Sequence, residues 1–349
     1  MTSIECSHRM IFVVLIGLFL LSWLLTYWVR IYALKNQVLD VPNQRSSHTI
    51  PTPRGGGLAI VISSQLGFYF CYLFGYLALD EYLGLLVAGL TIAAISFIDD
   101  HRHIHPLLRL VTHSVAVAFC LYILRELPII NLGGLVITIN WLLGCFLFVS
   151  LVWLINLYNF MDGTDGIAGV QAVLIAIGAI IVLIAIGDYE LVVFWGVLLV
   201  TVGGFLLMNL PPAKIFMGDI GSCYLGLVIG VLGLITTLNT GVSLWVWPIL
   251  LGFFVVDATT TLIMRVFRGQ KWYVAHRSHA YQILTVRYSN HKAVLKKLIL
   301  INIIWLYPLA VFTVFFPEAG LYLSLLALFP VMAWVVSVGA GKVHATNNY

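Results

Sequence analysis

The sequence predicts an all-α integral membrane protein with about eleven transmembrane helices, its N-terminus outside and its C-terminus in the cytoplasm. Of its 349 residues, 61% are hydrophobic and only 9% are charged, whereas a soluble domain carries roughly 25% charged residues. A run of about 20 apolar residues is long enough to span a bilayer, and the chain divides into such runs separated by short polar connections. A water-soluble fold is therefore excluded, and residues 1–349 are expected to form a single polytopic membrane domain.

The predicted spans follow one another along the whole chain. They cover approximately residues 11–29, 58–79, 82–98, 107–124, 141–157, 167–187, 190–208, 220–238, 244–264, 298–316 and 320–338. The first run is not followed by a small-residue cleavage site, so we expect a retained span and not a removed signal peptide. Four of the five cysteines lie inside predicted spans, which implies no disulfide framework.

The basic residues are distributed very unevenly between the two sides of the membrane. Sixteen of the 18 Lys and Arg residues lie in the connections after odd-numbered spans or in the C-terminal tail, and only Arg9 and Arg125 lie on the other side. Cytoplasmic connections carry an excess of Lys and Arg, which sets the orientation given above. Because these charges are spread over several loops and form no single stripe, we expect no nucleic-acid partner.

The acidic residues show a second asymmetry. All seven acids on the predicted inner side are aspartates, namely Asp40, Asp99, Asp100, Asp162, Asp165, Asp219 and Asp257. Short carboxylates held close to the backbone suit a hard cation and its phosphate ligands. The sequence therefore predicts one active site at the cytoplasmic face, formed by the connections 30–57, 99–107, 158–166, 209–219 and 265–297.

The first two of these connections combine basic residues with glycines or acids. Arg54 is followed by Gly55–Gly57 at the start of the second span, where backbone amides could approach an anion closely. A flexible turn before a membrane helix would explain these glycines equally well. Asp99 and Asp100 end the third span, and such boundary acids need a cationic neighbour. Arg102 and Arg109 could neutralise them, either as a purely structural cluster or as part of a phosphate site.

The next two connections carry Asp-Gly and Gly-Asp turns. In the sequence NFMDGTDG, Asn159, Asp162 and Asp165 lie in a tight double turn, which favours oxygen-rich ligation or base recognition unless the turn is merely structural. Asp219, ten residues after Asn209, starts the eighth span between two glycines. It could complement the helix dipole or contact a ligand.

The fifth connection is the longest and the most basic. Its densest polar stretch is His276-Arg277-Ser278-His279. We expect a phosphate role for His276, Arg277 and His279, and binding of anionic lipid headgroups by the lysines that follow, Lys292, Lys296 and Lys297. Asp257 lies inside the ninth span, where an acid is either functional or hydrogen-bonded to a neighbouring helix.

The motifs PTPRGGG, IDD, NFMDGTDG, IFMGDIGS and AHRSHAYQ occur in this order between about Asp40 and Gln282. Together they resemble the polyprenyl-phosphate N-acetylhexosamine-1-phosphate transferases, a family of the glycosyltransferase 4 type. The Arg-Ser-Ser-His and Pro-Arg-Gly-Gly-Gly runs are most similar to its O-antigen-initiating branch. The resemblance implies a multi-pass enzyme of the bacterial inner membrane that transfers an N-acetylhexosamine-1-phosphate from a UDP-sugar to undecaprenyl phosphate. UMP is released, and synthesis of O-antigen or a related envelope polysaccharide begins.

The resemblance also implies roles for individual residues. Asp219 and Asn159 match metal ligands for Mg²⁺ or Mn²⁺, Asp165 matches a uracil contact, and Asp99 and Asp100 match paired acids beside the lipid phosphate, one of them a candidate general base. The implied catalytic residues are Asp99, Asp100, Asp219 and Arg109. The implied substrate-binding residues are Arg54, Asn159, Asp162, Asp165, Asn209, His276, Arg277 and His279. The peptidoglycan branch carries three consecutive histidines where this chain has His-Arg-Ser-His, so a muramyl-pentapeptide donor is not expected. No family position matches His101, His103 or His105.

Two other functions fit parts of the sequence. An ion-coupled transporter would use Asp257 and the boundary acids, but that class expects acids near the bilayer midplane and an inverted repeat, whereas here nearly all inner acids lie at one face. A lipid phosphatase would use the same loops with water as acceptor. The sequence leaves open the identity of the donor sugar and the oligomeric state, for example a homodimer. It also leaves open whether transfer is direct or passes through a covalent aspartyl-phosphate.

Overall fold

The computed structural model describes residues 3–42, 50–102, 104–270 and 276–342, with side chains from residue 10 onward. Helices account for 76% of the chain. His103, Lys271 and the Arg-Ser-Ser-His run at 45–48 lie outside the described residues.

The helices of the first half are α1 (Ser3–Lys35), α2 (Gly57–Leu73), α3 (Leu79–Leu83), α4 (Gly89–Arg102), α5 (Pro106–Leu124), α6 (Asn140–Phe160) and α7 (Ile167–Ile186). They are connected by short turns and by two longer segments, one between α1 and α2 and one between α5 and α6. A π-helical turn at Gly84–Ala88 makes α3 and α4 one continuous span, Leu79–Arg102.

The second half begins with two long helices. Its helices are α8 (Val192–Asn209), α9 (Asp219–Thr240), α10 (Val246–Leu250), α11 (Gly252–Phe267), α12 (Ala280–Tyr288), α13 (His291–Ile301), α14 (Tyr307–Phe315) and α15 (Gly320–Val338). A π-helical turn at Asn302–Leu306 joins α13 to α14, and a 3₁₀ turn at Pro317–Ala319 precedes α15.

Within the described residues, nine helical segments are long and apolar enough to cross a membrane. The prediction of a helical integral membrane protein is therefore confirmed, but nine segments, not eleven, meet the criteria for a span. The other two predicted spans correspond to α2, which has only 17 residues, and to α10 and α11, which are separated at Leu251. At this break the Leu250 carbonyl accepts a hydrogen bond from Gln171 Nε2 at 3.1 Å, so the interruption leaves no orphan acceptor there.

Two short antiparallel strand pairs lie outside the helices. β1 (Leu39–Asp40) pairs with β2 (Thr52–Pro53), with Leu39 opposite Pro53 and Asp40 opposite Thr52. β3 (Ile130–Asn131) pairs with β4 (Val136–Ile137). The first pair joins the segment after α1 to the segment before α2, so that Arg54 directly follows a paired strand.

Helix α9 is the centre of the bundle. Within its apolar 18-residue stretch, 94% of the residues are buried. The helix packs against α2, α4 and α6. Close packing of small residues drives helix association in lipid, and Gly226 shows it here: a Cβ atom at this position would lie 2.8 Å from Ile155 Cα on α6. Because Asp219 is the first residue of α9, this central position places its carboxylate where the surrounding helices end.

Candidate active site

The PTPRGGG connection packs its backbone directly against the IFMGDIGS connection. Phe216 N–H donates to the Pro53 carbonyl at 2.8 Å, and Gly57 N–H donates to the Met217 carbonyl at 2.8 Å. A Cβ atom on Gly57 would lie only 2.3 Å from the Cα of Gly221. The glycine is therefore required by backbone contact between the two motifs, and the interpretation of this segment as a flexible turn is not supported. The contact fixes Arg54 beside the start of α9.

Three of the predicted site residues form a compact ionic cluster. Arg54 Nη2 lies 2.6 Å from Asp100 Oδ1 and 2.8 Å from Asp219 Oδ1. The Asp100 carboxylate also accepts the backbone N–H groups of Asp219 at 3.1 Å and Ile220 at 3.3 Å. Asp100 thus caps the first turn of α9 from another helix and satisfies amides that have no partner within the helix.

Gly218 makes this capping contact sterically accessible. Its φ angle is +77°, and a Cβ atom there would lie 2.7 Å from Asp100 Oδ2. A side chain would therefore be strained by the backbone conformation and would also crowd the carboxylate. This accounts for the Gly-Asp order of the motif.

Arg109 brings α5 into the same cluster. Its Nη1 atom forms an ion pair with Asp99 Oδ2 and lies 3.1 Å from Asp219 Oδ2. Asp99 Oδ1 also accepts the Ile104 N–H at 2.7 Å. The sequence offered Arg102 as a second neutralising partner, but Arg102 is exposed and the second cation beside the acids is Arg54. Asp219 consequently lies between two guanidinium groups, one on each carboxylate oxygen.

Asp162 is a fourth carboxylate that interacts electrostatically with this cluster. Desolvation raises the pKa of this half-buried acid to about 7; Asp219 and Asp100 contribute to the increase, and Arg54 opposes it. Four carboxylates thus share this region with two guanidinium groups, which leaves an excess of negative charge. Such a site favours a bound cation.

Asn159 lies one turn deeper, beside α9. Its Nδ2 atom is 3.1 Å from the Sγ atom of Cys223, which is four residues after Asp219 and therefore on the same face of the helix. This contact engages the amide nitrogen and leaves the oxygen as the ligand atom that Asn159 could offer to a cation.

Asp165 and Asn209 connect two loops. Asp165 Oδ2 accepts the Ala213 N–H at 3.0 Å, and its Oδ1 lies 3.2 Å from His291 Nδ1. Asn209 Oδ1 accepts the Gly166 N–H at 3.1 Å, and its Nδ2 donates to the Ile215 carbonyl at 2.9 Å. These contacts fix the shape of the 161–166 turn against the segment before α9. His291 was not among the residues selected from the sequence.

The His276–His279 motif is held by Asp257. The Asp257 carboxylate, which is fully buried, accepts the N–H groups of Ala280 at 2.8 Å and Tyr281 at 2.9 Å, as well as the Thr261 hydroxyl at 3.1 Å. Of the two roles open to Asp257 from the sequence, the structure shows the hydrogen-bonded one, with the partner on α12 and not on another span. Asp257 fixes the first turn of α12 immediately after the motif.

The two histidines of this motif lie close together, with ring centroids 4.9 Å apart. His276 Nδ1 is 3.0 Å from the Ser278 hydroxyl. Desolvation lowers the pKa of His276 to about 3, and the neighbouring His279 and Arg265 add to the effect while Asp257 opposes it. His276 is therefore neutral at pH 7 in this structure, and Arg277 supplies the positive charge of the motif.

The fifth connection also contacts the third. The Tyr281 hydroxyl donates to the Phe160 carbonyl at 3.0 Å, and a Cβ atom on Gly163 would lie 2.2 Å from the Tyr281 Oη atom. The AHRSHAYQ motif is thereby seated against NFMDGTDG. All five connections thus meet at one end of the described bundle, although only the first four reach Asp219 or its immediate neighbours.

The sequence match coincides with this geometry. A model of glycosyl transferase family 4 matches residues 82–237, a range that includes Asp99, Asp100, Asn159 and Asp219. This match covers a little under half of the chain and supports the resemblance to the family that the motifs indicate. Arg54 and the His276–His279 motif lie outside the matched range, and their connection to the family 4 region is the set of contacts described above.

Three curated relatives illustrate the similarity of this chain to named enzymes. It is 27% identical over 320 residues, 88% of its length, to a probable undecaprenyl-phosphate N-acetylglucosaminyl 1-phosphate transferase of Bacillus subtilis, of which the match covers 85%. It is 31% identical to the decaprenyl-phosphate N-acetylglucosaminephosphotransferase of Mycolicibacterium smegmatis, with 60% of this chain and 56% of that protein covered. It is 27% identical to the phospho-N-acetylmuramoyl-pentapeptide-transferase of Streptococcus equi subsp. equi, with 60% and 67% covered.

The donor atoms of this site fit a hard divalent cation. Asp219, Asp162 and Asn159 would supply oxygens, which are the ligands that Mg²⁺ prefers. Within the described ranges, no group of three or more His, Cys, Asp or Glu side chains is arranged to hold an ion unaided.

Proposed function

We propose that this protein transfers an N-acetylhexosamine-1-phosphate from a UDP-sugar to undecaprenyl phosphate at the cytoplasmic face of the bacterial inner membrane. The observation that carries the proposal is the position of Asp219, which is contacted by Arg54 on one oxygen and Arg109 on the other. Two fixed guanidinium groups at the membrane boundary suit the phosphates of a nucleotide sugar and a lipid carrier. The names of the relatives support the same reaction class.

The chemistry is a phosphoryl transfer. An oxygen of the lipid phosphate attacks the β-phosphorus of the UDP-sugar, the bond from that phosphorus to the bridging oxygen breaks, and UMP leaves with the bridging oxygen. Positioning and neutralisation of charge account for most of the catalysis in such reactions. Arg54 and Arg109 orient and neutralise the phosphates, and Asp99 or Asp100 accepts any proton on the attacking oxygen. When bound, Mg²⁺ or Mn²⁺ would further neutralise the diphosphate and the leaving UMP.

In this proposal, the loops around the cluster bind the nucleotide part of the donor. The turn fixed by Asp165 and Asn209 would receive the uridine, with Asp165 near the base. His276 would donate a hydrogen bond to the diphosphate as a neutral imidazole, His279 would contribute a second ring N–H, and Arg277 would contribute charge. This division agrees with the low pKa of His276, which removes it as a cation in the ligand-free protein.

We assign the chain to the branch that initiates O-antigen or a related envelope polysaccharide, on the basis of its Pro-Arg-Gly-Gly-Gly run and its His-Arg-Ser-His motif. UDP-N-acetylglucosamine is the first donor to test, because two of the relatives above carry that sugar in their names. UDP-N-acetylmuramoyl-pentapeptide belongs in the same panel because a relative of that name also matches.

The deciding assay uses the purified full-length protein in detergent with radiolabelled UDP-N-acetylglucosamine, undecaprenyl phosphate and Mg²⁺. We expect UMP and lipid-linked sugar to form in equal amounts, and no UMP without the lipid. Asp219→Asn should reduce the rate by roughly a hundredfold or more, because it removes one charge from between the two arginines. Glu190→Gln likewise converts an acid to its amide, but at an exposed residue outside the cluster. This variant should leave the rate unchanged. UMP release that does not require the lipid would instead indicate hydrolysis, as in a lipid or nucleotide phosphatase.

A further inference from the structure

His113 on α5 is an unexplained polar group in the interior. Its side chain is fully buried, and neither Nδ1 nor Nε2 has a hydrogen-bond partner among the described residues. Buried polar groups are almost always hydrogen-bonded, since an unpaired one costs about 1–3 kcal/mol. A histidine of this kind in an apolar span therefore indicates a missing partner.

The position of His113 relates it directly to the charged cluster. It lies four residues after Arg109, so both side chains project from the same face of α5, with His113 about 6 Å deeper along the helix axis. Arg109 and Asp219 are the two charged groups whose fields act on it. The imidazole thus lies on the membrane side of the Arg109–Asp219 ion pair.

Two neighbouring helices repeat this arrangement. On α4, the buried Ser96 precedes Asp100 by four residues, and on α9, the buried Cys223 follows Asp219 by four residues. Since α4 packs against both α5 and α9, the register of the three helices places Ser96, His113 and Cys223 one turn away from the charged residues. We call these three residues the inner polar layer. Asn159 closes it from α6 through its contact with Cys223.

We propose that His113 binds a phosphate oxygen of the lipid acceptor from the membrane side, an inference that rests on the proposed function. The prenyl chain must stay in the bilayer, so its phosphate meets the cluster from the layer in which His113 lies. The nucleotide sugar enters through the polar loops on the opposite side. Arg109 would neutralise the lipid phosphate while the imidazole N–H donates to an oxygen that faces the membrane.

The test separates the two substrates kinetically. His113→Leu removes the donor while filling the space, and His113→Gln retains an N–H donor at a similar reach. We expect His113→Leu to raise the KM for undecaprenyl phosphate about tenfold or more, with the KM for UDP-N-acetylglucosamine unchanged and substantial rescue in His113→Gln. Tyr122→Leu replaces an exposed ring on the same helix, outside the site connections, and should behave as wild type.

Each other outcome has a defined meaning. If wild-type protein makes no lipid-linked sugar, the proposed function fails and the inference fails with it. If wild type is active and His113→Leu has an unchanged KM for the lipid, only the inference is overturned. A rise confined to the KM for the nucleotide sugar, or a loss of kcat alone, also overturns it. Failure of both variants to give a monodisperse folded protein would assign His113 a structural role and overturn the binding role.

Discussion

Asp257 and Tyr281 are 24 residues apart, yet the Asp257 carboxylate accepts the Tyr281 N–H at 2.9 Å and the adjacent Ala280 N–H through its other oxygen at 2.8 Å. A carboxylate buried in α11 thus caps a helix that begins after the long inner connection. The contact explains how the His276–His279 motif is held next to NFMDGTDG.

Asp257→Asn should therefore destabilise the protein and weaken catalysis. The Asn amide has only one acceptor oxygen, whereas the N–H groups of Ala280 and Tyr281 each bond to a different oxygen of Asp257. We therefore expect the free energy of unfolding to fall by roughly 1–3 kcal/mol, with a lower melting temperature in detergent. The kcat should fall because the His276–His279 motif is no longer fixed. Thr260→Ala on the same helix is the matched control. A variant with wild-type melting temperature and kcat would contradict the anchoring role.

Arg54 and Arg102 provide a contrast between a clustered and an exposed arginine. Arg54→Ala should lower kcat/KM by about a hundredfold, since it leaves Asp100 and Asp219 without their shared cation and removes a phosphate contact. Arg102→Ala should change little. Steady-state assays of both variants decide the point, and equal losses would indicate that the general positive charge of the face matters more than the contact.

The backbone contact between Gly57 and Gly221 should tolerate no side chain. Gly57→Ala places a Cβ atom 2.3 Å from another Cα, so α2 and α9 must separate and Arg54 must move away from Asp219. We expect low yield of folded protein or loss of activity. Gly17→Ala, on a helical glycine with no atom within 4 Å of the added Cβ, should be neutral or slightly stabilising. Size-exclusion profiles and activity assays of the Gly57→Ala and Gly17→Ala proteins measure this difference.

Asp162 should link stability to pH and to Mg²⁺. Its pKa in the folded protein, about 7, is above its unfolded value of roughly 3.9, so the folded state holds the proton more tightly. The resulting stability is fully present below about pH 4 and is lost as pH rises through about 7. A bound divalent cation should offset the cost of ionisation. We therefore expect Mg²⁺ to raise the melting temperature more at pH 8 than at pH 6.

Asp162→Asn is the variant that tests this assignment. It should be more stable than wild type at pH 8 without Mg²⁺, and its response to Mg²⁺ should depend less on pH. Glu190→Gln should retain the wild-type response. If chelation with EDTA changes the melting temperatures of wild type and Asp162→Asn equally at both pH values, Asp162 does not contribute to cation binding.

The sequence predicted the long apolar helices, because these depend on local composition, and it predicted that the five polar connections converge. Two of the predicted spans are shorter or interrupted in the structure. Gly75 at φ +78° follows the end of α2 and stops a run that hydropathy continues to residue 79, and Leu251 separates α10 from α11 although both halves are apolar.

The residues that the sequence did not resolve depend on tertiary partners. His113 lies in an apolar run with no motif around it, and its significance comes from its register with Arg109. His291 is selected only by its contact with Asp165, 126 residues earlier. Arg54, and not Arg102, is the second cation beside the acids. The pairing of β1 with β2 places Arg54 there, and spacing along the chain does not reveal this pairing.

The two guanidinium groups on Asp219 have a consequence for the order in which ligands bind. An incoming phosphate that takes over the Arg54 Nη2 or Arg109 Nη1 contact displaces a carboxylate oxygen of Asp219, and the oxygen released in this way becomes free to bind a divalent ion. We therefore expect nucleotide and metal to bind cooperatively, each increasing the affinity for the other by the same factor. Calorimetric titration of Mg²⁺ with and without UMP would measure that factor, and identical affinities in the two titrations would show that the sites are independent.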